Sequence, residues 1–375
     1  MGTNDASPTN QPGASRNLKL TLFMLLFVAG ILTYLVFKTL LTPPPPMTTP
    51  GAGGSTSAGG SAGAAGSTAG SPEARTKPVD TINLALSAID DYMRQGRYVD
   101  AGVIADRACA KFPDDSPLRQ VYAAALIGQE RFADALTQME EAVRIGPPTA
   151  KLYFDTGVIA NQAGKPARAA ELFNLAAMKD PTEAQYPLFL GMVQIKLGEE
   201  GPGAASLSKA LRLNNDIPQA WGTLAELSLK ANTLDLALDQ VSKARALQPE
   251  SVQWRNVEAK IHKRNNQPQK AVDLLAGLNP EDLLKSGALQ TLAESYGMMG
   301  RPLTAAKAYA NAASYKNNDP LLFLEAAKWF KKGGDLTMAR SAAQVAVDFG
   351  HAPAREFLAT LEKPTTETKP PTQPK

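Results

Sequence analysis

Residues Thr149 to Pro181 read TAKLYFDTGVIANQAGKPARAAELFNLAAMKDP. The stretch holds two short amphipathic helical patterns. Ala163-Gly164-Lys165-Pro166 breaks them, because Gly and Pro together favour a turn over a continuous helix, and Pro181 closes the second. Small residues stand where the two helices would cross: Gly157 on the first, Ala169 and Ala176 on the second.

Counting Ala150 as position 1 and stepping by 34 residues places further starts at Ile82, Ser116, Ala184, Pro218, Val252, Ser286 and Pro320. Position 8 then reads Ile89, Ala123, Gly157, Gly191, Ala225, Ala259, Ala293, Ala327. Position 20 reads Ala101, Ala135, Ala169, Gly203, Ala237, Ala271, Ala305, Ala339. Position 27 is Ala in seven of the repeats, with Leu278 in the sixth. Positions 20, 24 and 27 share one face of a helix, so small side chains there let two axes approach closely. A bulkier position 24 (Met139, Phe173, Leu207, Val241, Leu275, Tyr309) fills the groove beside them.

This pattern resembles the tetratricopeptide repeat, a helix–turn–helix unit that stacks into a solenoid. The resemblance implies an all-α, right-handed superhelix of about eight repeats over 81–353, closed by a capping helix over 354–362. Phe357, Leu358 and Leu361 are the residues expected to cover the last repeat. Two repeats depart from the pattern. Glu199-Glu200-Gly201-Pro202-Gly203 loosens the fourth, and Asn279-Pro280 ends the second helix of the sixth early, which reads as a bend or a break between sub-blocks.

The same resemblance implies that positions 2, 5, 9, 12 and 13 of each first helix line a concave groove for a partner peptide. Carried over, these give an apolar stretch of Ile127, Phe154, Val158, Leu188, Met192, Ile195 and Leu229. A basic series joins it: Lys196, Lys230, Lys260, Lys263, Arg264, Lys328, Lys331 and Lys332. Such a trough suits a peptide with one greasy and one acidic end. The carboxylate clamp of chaperone-binding relatives needs Lys at position 5 and Asn at position 9. Gln120 and Ala124, Phe154 and Val158, Leu188 and Met192, and Asn256 and Lys260 do not match it.

The N-terminal part has a different character. After a tail at 1–17, the segment 18–41 contains Leu20 to Phe37, an uncharged and mostly apolar run bracketed by Lys19 and Lys38. As a helix it spans roughly 27 Å, near the hydrocarbon thickness of a bilayer. It reads as an uncleaved anchor; the rival reading, a signal peptide, lacks an A-x-A-like site after Lys38. Arg16 and Lys19 outnumber Lys38, which puts the N-terminus in the cytoplasm and the repeats on the far side, the periplasm in a Gram-negative cell. Residues 42–80, proline-rich and then Gly/Ser/Ala-rich, read as a linker, and 363–375 as a disordered tail.

Signs of chemistry are sparse. A net charge of +3 argues against a nucleic-acid binder. The single cysteine, Cys109, excludes an intrachain disulfide and a multi-cysteine metal site. Gly59-Gly60-Ser61-Ala62-Gly63 matches a nucleophile elbow by letter only, since it lies in the linker. Ser206-Leu207-Ser208-Lys209 lacks the companion motifs of its type, and His262 and His351 stand far apart. No catalytic residue, cofactor or metal is expected. The sequence therefore reads as a membrane-anchored scaffold that docks a protein or peptide during assembly of a bacterial envelope complex, whether pilus, secretion, cytochrome or lipopolysaccharide. The alternative is guidance of an anionic polysaccharide during export or synthesis. The oligomeric state is left open.

Overall fold

The computed structural model describes residues 70–362. The Leu20–Phe37 span, most of the linker and the 363–375 tail lie outside them. Among the described residues every regular element is an α-helix, and none is long and apolar enough to cross a membrane.

The chain divides into two compact units, Met1–Asn214 and Asn215–Lys375. The described part of the first begins with α1 (Pro72–Thr76). Four helical hairpins follow: α2/α3 (Ile82–Arg94, Tyr98–Lys111), α4/α5 (Ser116–Gly128, Phe132–Ile145), α6/α7 (Ala150–Gln162, Pro166–Lys179) and α8/α9 (Gln185–Lys196, Glu200–Leu213). The second unit contains α10/α11 (Pro218–Lys230, Leu234–Leu247) and α12/α13 (Val252–Arg264, Pro268–Leu275). A short α14 (Pro280–Lys285) precedes α15/α16 (Ala288–Met298, Pro302–Tyr315), α17/α18 (Pro320–Lys332, Leu336–Asp348) and α19 (Ala352–Glu362). The unit boundary thus falls between the fourth and fifth repeats. The sixth-repeat irregularity, read as a bend or a break, sits inside the second unit.

Two local devices set the hairpins. Position 15 has positive φ in every repeat: Gly96, Glu130, Gly164, Gly198, Asn232, Asn266, Gly300 and Gly334. The chain there turns back on the first helix, and the next amide reaches a carbonyl five residues earlier, as in Lys165 N to Ala160 O at 2.9 Å and Gln267 N to His262 O at 2.8 Å. This is a Schellman-type stop, for which Gly and Asn carry the least steric cost. The residue before the first helix is the second device, in five of the repeats. Thr81, Asp115, Thr149, Ser251 and Asp319 accept a first-turn amide through their side chains, satisfying an otherwise orphaned donor.

The alanine columns are buried as expected. Ala169 and Ala176 of α7 are 0% exposed. A Cβ built on Gly157 would meet Phe173 Cε1 at 2.7 Å, so the missing side chain is what admits the ring. In the sixth repeat, α13 stops at Leu275, and α14 fills the space with Leu283 buried. Gly287 (φ 67°) then restarts the chain so that α15 rejoins the 34-residue register two residues late.

The C-terminal helix covers the last repeat with Phe357, Leu358 and Leu361, beginning at Ala352. The linker reading, by contrast, runs too far. Residues 70–80 pack on the first repeat, with Ala74 and Val79 buried. Arg107 Nη1 donates to the carbonyls of Ala74 and Lys77 at 3.2 and 2.9 Å, and Arg97 Nη2 donates to Ser71 Oγ at 3.1 Å. Composition hid this because the contacts are made by Arg107 of α3 and by Arg97 just before it, both outside the segment.

Candidate functional site

Neighbouring first helices pack against one another: α2 on α4 in the first unit, and α10 on α12 and α12 on α15 in the second. Their outward positions therefore form rows that run from repeat to repeat. Cross-repeat hydrogen bonds mark these rows. Lys196 Nζ reaches Asn161 Oδ1 at 3.2 Å, and Arg264 Nε reaches Asn232 Oδ1 at 3.0 Å.

In the first unit the expected apolar series splits. Ile127, Phe154 and Val158 are buried, and so belong to the core rather than to an open surface. Phe154 stands 5.4 Å from the Phe173 ring, 5.3 Å from Tyr186 and 4.9 Å, edge-on, from Phe189. Such tilted and T-shaped contacts suit the ring quadrupoles and tie the third repeat to the fourth. Leu188, Met192 and Ile195 are half-buried, and Lys196 is exposed. Beside them the sequence reading missed Asp155, a buried carboxylate paired with Lys151 at 2.6 Å. Burial pushes its pKa up, against the pull of Lys151.

In the second unit the basic series does not stand alone. Position 9 reads Glu226, Lys260, Glu294, Lys328 in successive repeats, an alternation visible in the 34-residue columns but overlooked when only cations were sought. Desolvation raises the Glu226 pKa, with Lys260 opposing. Lys263 pairs with Glu294 across repeats, and Lys328 with Glu325 at 2.6 Å. Lys331 Nζ donates to Thr360 Oγ1 at 3.2 Å and lies 5.3 Å from the Phe357 ring centroid. Lys332 Nζ sits 4.5 Å from the Trp329 centroid. Leu229 is half-buried, while Lys230 and Arg264 are exposed. At positions 9, 12 and 13 of these repeats cations outnumber acids: Lys230, Lys260, Lys263, Arg264, Lys328, Lys331 and Lys332 stand against Glu226 and Glu294.

Elsewhere, an open pocket of about 200 Å³ lies between α3 and α4, where Tyr122 Oη donates to Asp106 Oδ1 at 3.2 Å. His262 Nδ1 is 3.0 Å from Gln267 Oε1. Among the described residues no three His, Cys, Asp or Glu side chains cluster in a way that could hold a metal ion.

The register that these contacts define is also recognised by sequence. Residues 123–184 match the tetratricopeptide repeat family. That segment of repeats spans α4 to the start of the fourth repeat and includes the stretch from Thr149 to Pro181. The chain matches no curated protein.

Solved structures of the same all-helical kind include the APC/C hetero-tetramer Cut9-Hcn1, at 14% identity and TM-score 0.47, covering 76% of this chain and 56% of that one. The chain thus spans little more than half of the length of that neighbour. PilW, a type IV pilus biogenesis factor, is similar at 23% identity and TM-score 0.45, covering 56% of this chain and 97% of its own. YrrB, a TPR protein with an unusual peptide-binding site, gives 16% identity and TM-score 0.42, covering 52% and 97%. These likenesses concern the helical repeat fold.

Proposed function

We propose that this protein is a membrane-anchored scaffold whose first-helix faces dock a partner protein or peptide. The role is non-catalytic and belongs to the assembly of an envelope complex. The observation that carries the reading is the set of rows formed by adjacent first helices. They present half-buried apolar side chains in the first unit (Leu188, Met192, Ile195) and a cation-rich surface in the second. An apolar partner segment complements the first and an acidic one the second. The apolar run Leu20–Phe37 supports the anchor, and the Arg16/Lys19 bias supports a cytoplasmic N-terminus with the repeats in the periplasm.

The test is a pull-down from detergent extracts with the wild type and with Lys230, Lys260, Lys263 and Arg264 all changed to Glu. Loss of specific partners in the variant is expected; equal recovery with both proteins would refute docking on the basic face. Protease added to intact spheroplasts should digest the repeats, and their protection would reverse the orientation.

A further inference from the structure

Glu294 occupies an unusual place on the cationic face. It stands on α15, at position 9 of the seventh repeat, and side chains from its own helix and from two neighbouring ones act on its carboxylate. Lys263, from α12 of the preceding repeat, pairs with Oε2. Gln290 Nε2 donates to Oε1 at 2.8 Å. Lys332, from α17 of the following repeat, adds a third, electrostatic contribution. Its Nζ lies 3.8 Å from where a Cβ on Gly297 would stand, one helical turn from Glu294.

Burial pushes up on the Glu294 pKa, yet the hydrogen bonds from Lys263 and Gln290 outweigh it and hold the carboxyl below its ordinary value. The pair is nevertheless open to solvent, with side chains 24% exposed for Lys263 and 37% for Glu294. Pairs of that exposure are weak enough to exchange with a competing charge.

We infer that Glu294 is an internal stand-in for an acidic side chain of the partner, and that an extended acidic peptide docks on the second unit by displacing it from between Lys263 and Lys332. The arrangement is a carboxylate-binding site built from three successive repeats and filled by the chain itself. The surrounding excess of Lys260, Arg264, Lys328 and Lys331 over acids supplies the long-range attraction. Glu294 lowers that attraction at its centre, so it sets a threshold: a peptide with several carboxylates competes, and a sparsely charged one does not. This inference rests on the docking reading above.

The experiment measures binding of a labelled, C-terminally amidated hexaglutamate peptide to the full chain by fluorescence anisotropy at low salt. Amidation leaves side-chain carboxylates as the only acids. Glu294→Gln keeps the shape and removes the competing charge, so it should tighten binding on the order of fivefold. Lys263→Met with Lys332→Met should weaken binding, and adding Glu294→Gln to that pair should restore nothing. Glu294→Ala serves as a second variant if the Gln protein unfolds early. Equal or weaker binding by a folded Glu294 variant overturns the displacement, as does an absence of binding to both wild type and variant. If Glu294→Gln gives no gain while reversal of Lys230, Lys260, Lys263 and Arg264 abolishes binding, docking stands and displacement falls. If that reversal leaves binding unchanged, the docking reading itself falls.

Discussion

Gly222 of α10 lies beneath the indole of Trp254 of α12: a Cβ built on the glycine would stand 2.1 Å from Trp254 Cζ3. Trp254 is 3% exposed and belongs to the core of the fifth and sixth repeats with Val241, Val257 and Ile261. Its Nε1 donates to Gln248 Oε1 at 3.1 Å, which fixes the ring in place. Gly222→Ala therefore forces the ring or the helices apart and should destabilise the second unit by about 1–3 kcal/mol. Gly201 in α9 has nothing within 4 Å of its added Cβ. Gly201→Ala should instead be neutral or stabilising by up to about 1 kcal/mol. Urea titrations of the two variants, followed by circular dichroism, would separate the effects; equal shifts would contradict the close approach.

Glu130 is the one residue in the position-15 column that is neither Gly nor Asn, and its φ is 59°. A Cβ in the left-handed region costs roughly 1 kcal/mol or more. Glu130→Gly should therefore raise the stability of the first unit by about 1 kcal/mol, even though Gly frees the unfolded chain. Gly164→Ala, at φ 73° with no packing clash, should lower it by a similar amount. A denaturation midpoint that falls in Glu130→Gly would show that the Glu side chain contributes something the backbone argument omits.

Asp100 ties residues 70–77 to α3. Burial pushes up on its pKa, but hydrogen bonds from the Ser71 amide and hydroxyl and from Arg97 hold it below the ordinary value. Arg97 Nε donates to Asp100 Oδ2 at 2.7 Å. A lowered folded pKa means stability that is complete above the unfolded value, near 3.8, and lost as the pH falls through the folded one. The N-terminal segment should detach under acid before the hairpins open. Amide exchange at 71–77, taken relative to the intrinsic rate at each pH, is expected to quicken at low pH in the wild type. In Asp100→Asn it should be fast already at neutral pH, and slow exchange there would exclude Asp100 as the tie.

Cys109 is a reporter for the first unit. It is 4% exposed, and burial pushes its thiol pKa up to about 11. At neutral pH the reactive thiolate is then rare as well as shielded. Thiol reagents should label it only when α3 opens, at a rate that follows denaturant concentration. Rapid labelling under native conditions would contradict the packing around it.

The columns of small residues at positions 8, 20 and 27 were legible because helix pairing within a hairpin is local. Gly157 meets Leu172 and Phe173 across a turn of a few residues, and the turn is encoded at position 15. The groove assignment fared less well. Phe154 and Val158 occupy positions that the family resemblance puts on the surface, yet rings from the next repeat close over Phe154. A single repeat's sequence carries no sign of that.

The amino-acid order alone decided the hairpin, its 34-residue pitch and the helix stops, since each depends on contacts or backbone torsions within one repeat. Only the stacked structure decided which charges are paired and that residues 70–80 pack on the first repeat. Lys263 meets Glu294 from 31 residues away, and Ser71 meets Asp100 from 29. Such partners are chosen by how one repeat lies on the next, and the strength of an ion pair or a buried hydrogen bond depends on the solvent that this stacking leaves around it.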